Sequence, residues 1–256
     1  MTNTKKLFLD SKTMFHRCQL SAMRKPDTIV TSIFVPVIMM LLFVFVFGGA
    51  MEVGEFSFVN FIVPGVILQC ISQCAASTAV TINDDMTKGI FDRFRSMPIA
   101  KSAVLTGHVL AAMVRNIITT VVVFLVAFLI GFRPSASFTD WLLIAGVLLL
   151  FMLAFTWISV IIGVVAKNSE SASGMTILAA LLPYLSSGFA PIDTMPAALR
   201  VFATHQPMTP VIDTVRALTL GFPLDGSLMP AILWCAGISI VCAIIGTRLY
   251  QRKMTT

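Results

Sequence analysis

Enzymatic chemistry needs a nucleophile beside a base, carboxylates sharing a site, or a cluster of metal ligands. This 256-residue sequence holds 5 Cys and 3 His. Of the five, Cys70, Cys74, Cys235 and Cys242 fall inside apolar runs with no CxxC spacing and no His partner nearby, and buried thiols packing as small hydrophobes are the expected reading. His108 has no second ligand or nucleophile near it in sequence, which argues against a metal or catalytic role. No Gly-x-x-x-x-Gly-Lys-Ser/Thr phosphate loop occurs. The chain is therefore expected to be no enzyme, with no catalytic, cofactor-binding or metal-binding residue, and any ATP hydrolysis is expected on another chain.

The polar residues that stand out lie inside apolar runs. Gln69 and Gln73, four apart, share a helical face, and Ser72, Ala75, Ala76 and Ala79 make the neighbouring side small, as in a helix that packs closely on another. Hydrogen bonding between helices is the favoured role for the glutamines, and lining a transport path is the alternative. Arg115 is the one fixed charge in such a run. Counting back from Gly131 puts it near the cytoplasmic end, where snorkelling is favoured over an intramembrane charge pair.

The elements that must carry these residues follow from composition. With 57% hydrophobic and 12% charged residues, against about 25% charged in soluble domains, lipid must solvate most of the chain. Six windows long enough to span a bilayer occur at 29–47, 56–82, 102–132, 141–166, 171–192 and 226–247. The first begins only after a 28-residue basic segment and is too long for a signal peptide. The net charge of +6 does not point to nucleic acid, because the basic residues gather between apolar runs. Lys5, Lys6, Lys12, Arg17, Arg24, Lys25, Lys88, Arg93, Arg95, Lys101, Lys167, Arg248, Arg252 and Lys253 fall in one set of loops and termini, and only Arg133, Arg200 and Arg216 in the other. Short basic loops stay inside, so both termini are expected to be cytoplasmic.

Three segments are not simple spans. In 1–28, Leu7, Met14, Phe15, Cys18 and Ala22 fall near one face of a basic helix expected to lie in the membrane interface, with Pro26 making a corner. In 83–101, Asn83-Asp84-Asp85 can cap a short helix whose Met86, Ile90, Phe94 and Met97 form one stripe, ended by Pro98. With Phe91 and Phe94 exposed, it suits a groove on a partner better than the bilayer. In 193–225, two short helical pieces are expected, the first capped by Asp193 or Thr194 with Pro196 in its first turn. The second is capped by Thr209 with Pro210 at its first position and ends near Gly221. Together they form a re-entrant hairpin that should pack on the fifth and sixth spans, with Asp213 and Arg216 able to pair.

Three stretches together resemble the type-2 ABC transporter permease family. They are Arg24-Lys25-Pro26 before a span containing Pro36; the run from Asp84 through Gly89 to Met97-Pro98; and Ser187-Gly188-Phe189-Ala190-Pro191 through Met195-Pro196, Gln206-Pro207-Met208-Thr209-Pro210 and Asp213 to Ala217. The resemblance covers nearly the whole chain and is closest in style to drug and antibiotic exporters. It implies a single permease domain, all-α, with six transmembrane helices, an N-terminal interfacial helix, a cytoplasmic coupling helix and an outer re-entrant hairpin between spans five and six. It also implies a bacterial plasma-membrane location, a second permease subunit, identical or paralogous, and an ABC ATPase partner that holds the ATP and Mg. Asp85, Lys88, Phe91, Arg93, Phe94, Arg95 and Pro98 would contact that ATPase, while Pro191, Pro196, Pro207, Pro210, Asp213 and Arg216 would shape the hairpin. The implied function is outward movement of a hydrophobic or amphipathic drug, antibiotic or lipid-like substrate. A polysaccharide or lipid-linked glycan exporter is the alternative within the family. An ion-coupled secondary transporter would need carboxylates inside the spans, and these contain none.

Overall fold

The computed structural model describes residues 3–23, 26–48, 57–89 and 101–253, and every regular element among them is helical. In chain order they are α1 (Asn3–Met23), α2 (Pro26–Leu42) running on as a π-turn (Phe43–Phe47), α3 (Phe58–Thr87), α4 (Lys101–Leu129), α5 (Phe138–Val165) and α6 (Ser169–Leu181). Two short 3-10 turns, Leu182–Leu185 and Ile192–Thr194, precede α7 (Ala197–His205), α8 (Met208–Leu220) and α9 (Leu228–Lys253).

Local sequence sets the boundaries. Ser137 and Asp140 form a reciprocal capping box on α5: Oγ of Ser137 accepts from the Asp140 amide at 3.3 Å, and the Asp140 carboxylate accepts from the Ser137 amide at 2.8 Å. Asn168 caps α6 by accepting from the Ser171 amide at 2.8 Å. Gly221, at φ +72°, ends α8 in the left-handed conformation that glycine adopts without steric penalty.

Among the described residues, four helices are long and apolar enough to cross a bilayer: 58–87, 103–129, 138–165 and 228–253. The last three expose apolar side chains such as Leu125, Leu129, Leu142, Leu233 and Ile240. The expected fifth span departs from the continuous helix that 171–192 suggested. α6 is 13 residues long, about 20 Å at the helical rise, and breaks at the turn containing Pro183. The chain then continues to Pro191 without regular helix.

α3 is the central mast, packed against α2, α4, α5, α6 and α8 and buried over most of Ile62 to Ile82. Two glycines set its closest approaches. A Cβ on Gly163 of α5 would lie 2.6 Å from the Ala79 carbonyl of α3, and one on Gly65 of α3 would lie 2.6 Å from the Gly188 carbonyl. α1 packs one face on α4: Ser11, Met14 and Cys18 are buried there, and a Cβ on Gly107 would stand 2.6 Å from that of Met14.

The hairpin helices α7 and α8 match the two pieces expected, but their caps differ. Pro196 and Pro207 occupy the cap positions. The Thr209 hydroxyl instead donates to the Ala203 carbonyl at 2.5 Å, tying the two helices together. α8 rests on α3, α5 and α9 and meets the broken end of the fifth segment through its 3-10 turn and through Ser187.

Candidate functional site

The foot of α3 is the first polar centre. Asn83-Asp84-Asp85 does not open a separate helix, because α3 runs without interruption to Thr87. Successive residues on a helix point about 100° apart, and these three reach three different neighbours. Asn83 Nδ2 donates to the carbonyls of Gly163 at 3.1 Å and Ala166 at 2.8 Å, satisfying acceptors left open at the end of α5. Asp84 accepts from the Ser169 hydroxyl at the start of α6 and from Lys88 Nζ at 3.2 Å. Asp85 is buried, 3.0 Å from Arg17 NH1 of α1 and 3.3 Å from His108 Nε2 of α4.

The Asp85 carboxylate is thus engaged within the chain by Arg17 and His108. His108, lone in the sequence, is the buried partner of an acid. Lys88 stays exposed beside Gly89, which ends the helix at φ +66°. Phe91, Arg93, Phe94, Arg95 and Pro98 lie outside the described residues.

The second centre is midway along α3. A groove of about 330 Å3 runs between α2, α3 and α6, lined by Val35, Gln73, Ala76, Ser77, Val80, Ser173, Thr176, Ile177 and Ala180. Gln73 belongs to this groove, whereas Gln69 is buried and Ser72 donates to its own helix at Leu68 O, 2.9 Å away. The glutamines therefore part company: Gln69 packs and Gln73 lines an opening.

Among the described residues Arg115 is held by neutral acceptors. It sits midway along α4 and donates to Thr78 Oγ1 at 2.6 Å and to the Cys74 carbonyl at 3.3 Å. One helical turn further on, Thr119 Oγ1 lies 3.2 Å from Cys74 Sγ.

The third centre is the hairpin. Arg216 NH1 donates to Asp213 Oδ1 at 3.0 Å and NH2 to the Ser187 carbonyl at 2.6 Å, while Nε and NH2 both reach the Phe61 carbonyl at 3.3 Å. Its guanidinium also stands 4.1 Å over the Phe61 ring. One side chain thus joins α3, the 186–191 loop and α8. The Ser187 hydroxyl donates to Asp213 at 2.6 Å. Burial pushes the Asp213 carboxyl up from its ordinary range against the opposing effects of Ser187 and Arg216. Burial likewise brings Arg216 down to about 10, opposed by Asp213, so Arg216 stays charged at neutral pH. Pro191 opens the 3-10 turn, where its carbonyl accepts from the Thr194 hydroxyl at 2.7 Å, and the Pro210 carbonyl accepts from the Thr214 hydroxyl at the same distance.

Comparison with known proteins adds the context that geometry alone does not carry. The ABC-2 type transporter family model matches residues 10–220. A daunorubicin resistance ABC transporter permease protein of Streptomyces coeruleorubidus is 31% identical over 250 residues, covering 95% of this chain and 87% of that protein. A probable doxorubicin resistance ABC transporter permease protein of Mycobacterium tuberculosis is 24% identical over 229 residues, covering 89% and 83%.

Proposed function

This chain belongs to the ABC-2 type transporter family, and on that premise we propose that it exports an amphipathic, ring-bearing drug of the daunorubicin and doxorubicin kind. It is a multi-pass membrane permease, a transport subunit and not an enzyme. ATP hydrolysis in this family falls to an ATPase partner, and the segment 83–101 is the proposed contact, with Lys88, Phe91, Arg93, Phe94, Arg95 and Pro98 facing that partner.

The observation that carries the reading is the groove at Gln73. It places one amide and three hydroxyls, those of Ser77, Ser173 and Thr176, among apolar walls, the mixture that binds a flat amphipathic molecule. Two copies facing each other across such grooves would enclose roughly 660 Å3, within the size range of small-molecule sites. Exposed Phe34, Ile38 and Leu178 beside the groove support a second permease subunit there, identical or paralogous.

The proposed topology has six crossings of one permease domain, with α2 as the first and α6 with its broken end as the fifth. The basic loops set both termini in the cytoplasm of a bacterial cell, with the α7–α8 hairpin outside.

The test is co-purification of the ATPase with Phe94→Ala beside export by the same variant. Truncating a buried aromatic anchor costs about 2 kcal/mol, roughly thirtyfold in affinity, so recovery of the complex should fall. Normal recovery with normal export would sink the coupling assignment.

A further inference from the structure

We propose that α3 and α4 move in the export cycle as one rigid lever held in register by three polar rungs, with Asp85 and Arg115 as its positioning residues. The rungs are Asp85 with His108 at 3.3 Å, Thr78 with Arg115 at 2.6 Å, and Cys74 with Thr119 at 3.2 Å. Going up α3 from Asp85 the steps are seven and then four residues, and going along α4 from His108 they are again seven and then four. Seven residues are about two helical turns and four about one, so all three rungs fall on one face of each antiparallel helix.

Hydrocarbon makes this arrangement informative. Lipid tails are as apolar as Leu or Val, so an apolar seam between two spans has little resistance to sliding. Hydrogen bonds reach only about 3 Å, so a slip of one turn, about 5.4 Å, would break all three rungs together. Arg115 adds a second tie across the same seam through the Cys74 carbonyl. A guanidinium held midway along a span is costly, and here neutral acceptors of the facing helix receive it.

The rest of the surroundings distinguish this seam from its neighbour. Across the groove, the hydroxyls of Ser77 and Thr176 donate to carbonyls of their own helices, Cys74 and Ser173, both at 2.7 Å, and among the side-chain hydrogen bonds of the described residues Ser169 with Asp84 ties α6 to α3 at the foot. The α3–α4 connection is the segment proposed above to meet the ATPase. A push there is thus delivered to a stiff pair, to which Arg17 of α1 is also fixed through Asp85, while along the groove the α3–α6 seam has no polar rung to hold its register.

The lever rests on the exporter reading, and its test separates the two. In a background without Cys18, Cys70, Cys235 and Cys242, Thr119→Cys is oxidised onto the native Cys74 in the complex with the co-purified ATPase. Doxorubicin export is then compared before and after oxidation. Absence of export in the reduced complex would strike the exporter reading. Given export there, the lever requires the bond to form nearly completely and the oxidised rate to stay within about twofold of the reduced one. Loss of export on oxidation, restored by dithiothreitol, would overturn it, as would a pair that cannot be oxidised. A second readout is Arg115→Met, with normal ATPase recovery and hydrolysis but export per ATP lowered by at least about fivefold, the low end of ordinary coupling energies, and partly rescued by Arg115→Lys. Unchanged export per ATP in Arg115→Met contradicts the lever.

Discussion

The Arg17 guanidinium and the Asp85 carboxylate, 68 positions apart, meet at 3.0 Å and fasten α1 to the foot of α3. His108 shares the same carboxylate oxygen, so the one acid holds both partners.

Removing the two ends of this pair should therefore not be equivalent. Asp85→Ala leaves Arg17 and a buried His108 without their acid and should cost about 3 kcal/mol, as for a broken buried pair. Arg17→Ala leaves Asp85 with His108, and because Arg17 is partly solvated it should cost under about 1 kcal/mol. Thermal unfolding in detergent compares them; equal losses would mean the pair is an ordinary surface contact.

Gly163 should tolerate no side chain. Its missing Cβ would press on the Ala79 carbonyl and stand 2.9 Å from Ile82 Cβ, whereas one on Gly146 would meet nothing within 4 Å. Gly163→Ala should lose about 1–3 kcal/mol through overpacking while Gly146→Ala is close to neutral. Matched melting curves that do not separate the two variants would refute the close crossing of α3 and α5.

Arg216→Lys should not preserve the hairpin. An ammonium can keep Asp213 but cannot also reach Ser187 and Phe61 with a planar fork. About 2 kcal/mol should be lost, seen as faster amide exchange in 186–191 and at the start of α8, with α9 unaffected. Protection equal to the parent chain would show that the guanidinium is dispensable.

Topology can be read from two exposed loop positions. Asp225→Cys in a cysteine-free background should react with an impermeant thiol reagent in intact cells, and Lys167→Cys should react only after permeabilisation. The reverse pattern would invert the orientation.

Much of this was legible in the residues. The long apolar windows appear as α3, α4, α5 and α9 because composition alone decides where lipid can be the solvent. The break in the fifth segment was not legible, since Pro36 and Pro64 sit inside continuous helices while Pro183 does not. What differs is the sequence after it. Ser186 donates to the Pro183 carbonyl and accepts from the Gly188 amide at 3.2 Å, and Gly188 lies against Gly65, so small and hydroxylated residues stabilise a non-helical path. The partners of His108 and Arg115 were not legible for another reason. Their partners are on α1 and α3, and only the register between helices, which no local pattern encodes, brings Asp85 and Thr78 to them. For Asn83, read as a helix cap, the missing signal was the end of α5 beside it.

The central claim is that this permease moves an amphipathic drug only when a separate ATPase is bound. Inside-out vesicles containing the purified chain, with and without the co-purified ATPase, measure it directly through doxorubicin uptake on adding ATP. Uptake should require both proteins and hydrolysable ATP, and should fall with Gln73→Leu. Uptake by the chain alone, driven by an ion gradient without ATP, would contradict the account.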